Sequence, residues 1–251
     1  MMNERFSRIE QMIGAGGLQK LRQSHVVVVG LGAVGSFAVE ALARAGVGRL
    51  RLVDFDEVRP SNINRQLYAL QSTLGQAKVN VARQRVQDIN PHCQVEALAC
   101  FAHLESMDVI LEGRPDLLLD AIDSLNPKVE LIQAVVQRQI PLVSSMAAAL
   151  RKDVNAVRVG PLSATRHCPL ARLIRKRLRQ NRVSTDFPCV YSVEVLDAVT
   201  GREITESQPG EEFYERGRPR RKLGSLPTIP GIFGLAAANE AIRILVSGSR
   251  R

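Results

Sequence analysis

The run His25-Val-Val-Val-Val-Gly30-Leu-Gly32-Ala-Val-Gly35 constrains this chain more than any other. Four consecutive valines leave no polar face, which suits a strand buried on both sides of a parallel sheet. The three glycines make a tight turn, and residues 33–46 then read as a helix ending near Gly46. Arg49-Leu-Arg-Leu-Val-Asp54 reads as the second strand. Strand, glycine turn, helix and strand in that order open a doubly wound sheet.

The periodicity continues downstream. Residues 75–90 predict a helix stopped by Asn90-Pro91, and Val95 to Leu98 a short strand. Leu117-Leu-Leu-Asp120 is another buried strand, followed by a helix over 126–138 and a strand at Leu142-Val-Ser144. Val154 to Val159 and Val190 to Val195 alternate and are expected to pair. Hydrophobic residues make up 45% of the 251, with aromatics at 4% and no Trp, so the core must be aliphatic. The expected class is α/β, a Rossmann-like, mostly parallel sheet with an elaborated C-terminal half. No linker separates two units, so residues 1–251 are expected to form one domain, with 160–225 a basic, loop-rich elaboration. Residues 201–225 read as a long loop.

The net charge of +9 is local. Residues 166–182 hold seven Arg or Lys and 216–222 hold five, with no acid in either stretch. From Pro169 to Arg182 a helical wheel gathers Leu170, Leu173, Ile174 and Leu178 on one side. Arg172, Arg175, Lys176 and Arg179 fall on the other. Such a stripe fits a polyanion such as RNA; the alternative is a solvated helix face. Cysteines at 93, 100, 168 and 189 form no CxxC pair, which argues against a structural zinc site of the usual spacing. The first residues lack the apolar core of a signal peptide, so a cytoplasmic setting is expected. Asn239, Glu240 and Arg243 interrupt the apolar stretch from Ile229 to Val246, which argues against a membrane span.

Ligands of an open parallel sheet sit beyond the carboxyl ends of its strands. Gly30, Gly32 and Gly35 let backbone approach a nucleotide at a helix N-terminus. Asp54 stands where a carboxylate can bond ribose hydroxyls, or where a turn or cap would use it. Asp56 reads as a ligand or as a turn residue. Arg65 and Lys78, spaced with Ser61, Asn62 and Gly75, place two cations where phosphates would lie. That suits displacement of pyrophosphate better than hydride transfer to NAD. Asp123, next to Ser124, could hold Mg²⁺ against phosphate or cap the following helix.

From Arg5 to Ser145 these residues resemble the E1-like adenylating family, the ThiF, MoeB and HesA group. The resemblance implies ATP and Mg²⁺ as cofactors. It implies that the glycines and Asp54 bind ATP, that Asn62, Arg65 and Lys78 contact its phosphates, and that Asp123 supports Mg²⁺. It also implies a homodimer in which Arg8 reaches the neighbouring subunit's ATP site. Cys168-Pro-Leu-Ala-Arg172, Val190-Tyr-Ser192-Val-Glu194 and Gly224-Ser-Leu-Pro-Thr-Ile-Pro230 are similar to the tRNA-acting, CsdL-type branch of that family. Members of that branch dehydrate threonylcarbamoyladenosine at position 37 of tRNA. A cysteine desulfurase and sulfur-acceptor system belongs to the partners considered. Cys168 stands where Asp is expected before Pro-Leu, so a weaker cap is expected there. The competing readings are an activator of a ubiquitin-like sulfur carrier, an RNA-binding scaffold and an NAD oxidoreductase.

Overall fold

The computed structural model describes residues 2–196 and 223–248. The 216–222 basic cluster and most of the 201–225 loop lie outside the described residues. A helical turn, α1 (Met2–Arg5), precedes α2 (Ser7–Gln23), which kinks at Gly14. Then come β1 (His25–Val29), α3 (Gly35–Ala45), β2 (Arg49–Val53), α4 (Lys78–Ile89), β3 (Gln94–Leu98) and the short α5 (Met107–Ile110). β4 (Leu117–Asp120), α6 (Leu125–Gln137) and β5 (Leu142–Ser145) complete the predicted alternation. The second half adds β6 (Val157–Pro161), α7 (Pro169–Gln180), β7 (Pro188–Ser192) and α8 (Thr228–Ser247).

The seven strands lie in the order β3-β2-β1-β4-β5-β7-β6. All pairs are parallel except β6 with β7. Alternate strand residues feed two cores, as a two-residue period requires. Val26, Val28, Leu117 and Leu119 face one side with α3, α4 and α8. Val27, Val29 and Leu118 face the other with α5, α6 and α7. The doubly wound α/β expectation holds.

Most boundaries shift by a residue or two from expectation, and three of the shifts have clear local reasons. Helix α4 begins at Lys78, because Gly75 has a positive φ of 76° and donates its N–H to Val58 O. Val154–Ala156 is a 3-10 turn, since Asp153 accepts the Asn155 N–H, and the strand starts only at Val157. Strand β7 ends at Ser192, whose Oγ accepts the Glu194 N–H. The pairing of the two segments is as expected, with antiparallel partners from Val157–Ser192 to Pro161–Pro188.

Helix α8 is long and apolar enough, by length and composition, to cross a membrane, and half of it is buried inside this fold. It packs against α2, α3 and strands β4 to β7. Ile229, Phe233, Ala237, Ala238 and Ala241 are wholly buried there. Much of its apolar surface is therefore taken up by the core.

Candidate functional site

The strand order reverses between β1 and β4, so a crevice opens beyond their carboxyl ends. Gly30 leaves β1 with φ 90°, and a Cβ there would sit 2.9 Å from Ala121 O at the end of β4. A Cβ on Gly35 would lie 1.8 Å from Gly30 O. Both positions therefore require glycine. At Gly32 the nearest atom to such a Cβ is Gln66 Nε2 at 3.6 Å, so backbone here is open to a close ligand. Val34, at the N-cap of α3, supplies no side-chain cap. The turn is a Cβ-free cradle at a helix N-terminus, and it fits an anionic nucleotide.

Asp54 is buried at the end of β2. Its Oδ2 accepts from Leu31 N–H at 2.6 Å and its Oδ1 from Asp56 N–H at 2.8 Å. Burial pushes its pKa up; the Lys78 charge and these two N–H groups pull against that. The carboxylate thus ties the glycine turn to the segment after β2. Two residues on, Asp56 serves the chain itself: its Oδ2 receives Lys78 Nζ at 3.0 Å. Lys78 opens α4 and is 4% exposed, with its own N–H on Asp56 O.

Ser61 and Asn62 lie in a 3-10 turn, Pro60–Asn62. Asn62 is buried and its Oδ1 accepts Arg59 N–H, so this amide already serves its own turn. Arg65 is half-buried, with Nη1 on Ser61 O at 2.9 Å and on Asn64 Oδ1 at 2.8 Å. Leu67 N–H donates to Ser36 Oγ, which lays this segment across the start of α3. The glycine turn, Asp54, Asp56 and Lys78 are thereby brought together, with the Asn62–Leu67 segment alongside.

Asp123 is exposed beyond β4 and accepts from Ser124 Oγ at 3.2 Å. The N-cap position of α6 belongs to Ser124 rather than Asp123, and Ser124 makes no side-chain cap bond. Among the described residues no cluster of three or more His, Cys, Asp or Glu could hold a metal. A divalent ion at Asp123 would need further oxygens from a ligand, as Mg²⁺ on phosphates does. Arg8 is exposed on α2, an element that packs against α8, and it is not among the side chains that meet at the crevice.

Beneath this loop lies a charged pair that the sequence does not mark. Asp120 and Lys128 are both fully buried and form an ion pair at 2.7 Å. Charged residues are almost never fully buried unless paired, and nothing in the sequence pattern singles out these two as partners.

Helix α7 buries Ala171, Ile174 and Leu178 and exposes Arg172, Lys176 and Arg179. Two expectations need correction. Leu173 is 42% exposed. Arg175 is half-buried, and its guanidinium bonds the carbonyls of Leu162 and Thr165, which anchors the helix to the body. Cys168 does cap the helix, accepting Ala171 N–H on Sγ at 3.5 Å. Burial pushes the Cys189 thiol up to about 12, so it is no ready nucleophile.

The ThiF family model matches residues 6–250. The tRNA threonylcarbamoyladenosine dehydratase of Bacillus subtilis is 37% identical over 245 residues, covering 98% of this chain and 96% of that protein. The crystal structure of Escherichia coli tRNA N6-threonylcarbamoyladenosine dehydratase, TcdA, in complex with ATP superposes with a TM-score of 0.85 at 30% identity. The match covers 98% of this chain and 95% of that one. The molybdopterin-synthase adenylyltransferase of Haemophilus influenzae, 33% identical, matches only 67% of each chain. The chain belongs to the ThiF family, and along its whole length it is similar to the tRNA threonylcarbamoyladenosine dehydratases.

Proposed function

We propose that this protein is an ATP-dependent tRNA-modifying enzyme that dehydrates threonylcarbamoyladenosine at position 37 of tRNA by adenylating its carboxylate. The observation that carries this reading is full-length similarity to dehydratases, one of them crystallised with ATP, joined to a Cβ-free cradle beside Asp54 and Lys78. Residues 1–251 act in this reading as one E1-like domain, with 160–225 as its basic elaboration.

ATP lies on the backbone of Gly30, Gly32 and Gly35, with Asp54 at the ribose. Ser61, Asn62, Arg65 and Lys78 face the phosphates, and Ser124 lines the same crevice. Asp56 already holds Lys78 in place, so its ammonium need not be recruited from solvent. Donors fixed in this way stabilise charge as it develops on the α-phosphate and the leaving group. Asp123 would hold Mg²⁺, which would supply charge neutralisation on the phosphates. The substrate carboxylate displaces pyrophosphate; the adjacent carbamoyl group then closes on the activated carbonyl and AMP leaves. The net change in the base is loss of one water. Both reacting groups belong to one nucleoside, so proximity does much of the work and no enzyme nucleophile is needed. The high pKa of Cys189 accords with that.

Arg172, Lys176 and Arg179 hold the tRNA backbone, while Arg175 keeps α7 in place. Arg8 serves the site of a second copy in a homodimer. The further partners of this reading are a cysteine desulfurase and its sulfur acceptor, and its setting is the cytoplasm, where tRNA is found. AMP release tests the reading. Release should require tRNA bearing threonylcarbamoyladenosine and should not occur with the unmodified transcript. AMP release with a ubiquitin-like carrier instead would move the assignment to carrier activation.

A further inference from the structure

Three polar side chains lie wholly inside the fold directly behind the loop that presents Asp123. Asp120 ends β4, Ser144 lies in β5 and Lys128 sits in the first turns of α6. Each is fully buried. Asp120 Oδ2 receives Lys128 Nζ at 2.7 Å and Ser144 Oγ at 2.6 Å. Asp120 Oδ1 receives Ile122 N–H at 3.0 Å, and Lys128 Nζ also donates to Ile122 O at 2.9 Å. Residue 122 is thus gripped at both its amide and its carbonyl. The same loop touches the glycine turn: a Cβ on Gly30 would meet Ala121 O, Ala121 C and Ile122 N within 3.2 Å.

A lysine near a helix N-terminus opposes the helix dipole, and a buried charge is costly without a partner. The core alone gives no reason to keep a charged pair here, since apolar residues of like volume pack as well or better. What the pair adds is a fixed spacing between two functional parts. We infer that Asp120, Lys128 and Ser144 are positioning residues that set Asp123 against the glycine turn and thereby tune Mg²⁺ binding on the nucleotide. This inference rests on the adenylation reading. None of the three needs to touch ATP or tRNA.

The test uses full-length Ser144→Ala and the charge-neutral double variant Asp120→Asn/Lys128→Met. Calorimetric titration measures ATP affinity with and without Mg²⁺, and the Mg²⁺ half-saturation of AMP formation is measured alongside. Removing a group that orients a metal ligand typically weakens metal binding ~10-fold or more, so half-saturation should rise by about that factor. ATP affinity without Mg²⁺ should stay the same. A folded Ser144→Ala variant with unchanged Mg²⁺ dependence would overturn the inference. So would an equal loss of ATP affinity with and without Mg²⁺, which marks a merely structural role. Absence of any ATP binding in the unaltered protein is a separate outcome and removes the adenylation reading itself.

Discussion

At the scale of single residues, charge and burial decide what a side chain can do here. Lys78 and Arg65 are held by Asp56 and by Ser61 and Asn64 respectively, so both are preset rather than free to wander. Replacing either by Ala should lower kcat/KM by about 100-fold or more, the scale of losing one charge-stabilising donor. Steady-state AMP formation checks this, and near-normal turnover would remove the phosphate roles. Of the two, Lys78→Ala should also lower Tm, because it takes a buried ammonium away from Asp56. His25 gives a pH prediction independent of the site. Burial first, and then the Arg49 and Arg51 charges, push its pKa from 6.5 to about 4. The unfolded chain therefore binds a proton that the folded chain refuses between those values. Stability should rise with pH from about 4 to 6.5, and His25→Asn should flatten that slope in urea titrations. The proposed nucleotide-facing residues were legible because they follow strand ends and a glycine turn that the sequence itself marks. Lys128 and Arg51 were not. Arg51 is 2% exposed, with its guanidinium on Glu96 and on the carbonyls of Val109, Ile110 and Glu112. Only partners distant in sequence make such burial possible, and a single chain of letters does not show them.

At the scale of elements, the glycine turn and α7 make separate demands. The turn is intolerant of any side chain at position 35, since the new atom would collide with Gly30 O, a backbone group that cannot rotate away. Gly35→Ala should cost about 3 kcal/mol, at the upper end for overpacking. Chemical denaturation reads that directly. The turn was plain in the sequence because glycine has few other reasons to recur there. Helix α7 was legible as an amphipathic stripe but not residue by residue. A wheel assigns directions by angle alone, whereas Arg175 reaches back to Leu162 and Thr165 and Leu173 is left outside. The two kinds of arginine should therefore respond differently to replacement. Neutralising Arg172, Lys176 and Arg179 should weaken tRNA binding and flatten its salt dependence by up to ~0.9 in log–log slope for each phosphate left without its cation. Arg175→Ala should instead loosen the helix and lower Tm. Unchanged tRNA affinity in the triple variant would make the stripe a solvated face.

At the scale of the whole molecule, the first half of the fold was readable almost strand by strand. Buried parallel strands announce themselves by composition, and most are followed by a helix. The second half was harder because its order depends on long-range packing rather than period. Strand β6 turns antiparallel at the sheet edge, and α8 closes one face by packing on α2, α3 and four strands. From sequence, α8 is only an interrupted apolar run. In the fold it packs on β4, one of the two strands that frame the crevice, so the C-terminal half supports the site as well as flanking it. Chemistry on tRNA is what sets this protein apart from the carrier activators, and one experiment reads it directly. The purified protein is incubated with ATP, Mg²⁺ and tRNA bearing threonylcarbamoyladenosine, and the digested nucleosides are weighed by mass spectrometry. That nucleoside should lose one water, and only when ATP is present. An unchanged nucleoside mass, with the protein folded and ATP bound, would refute the dehydratase assignment.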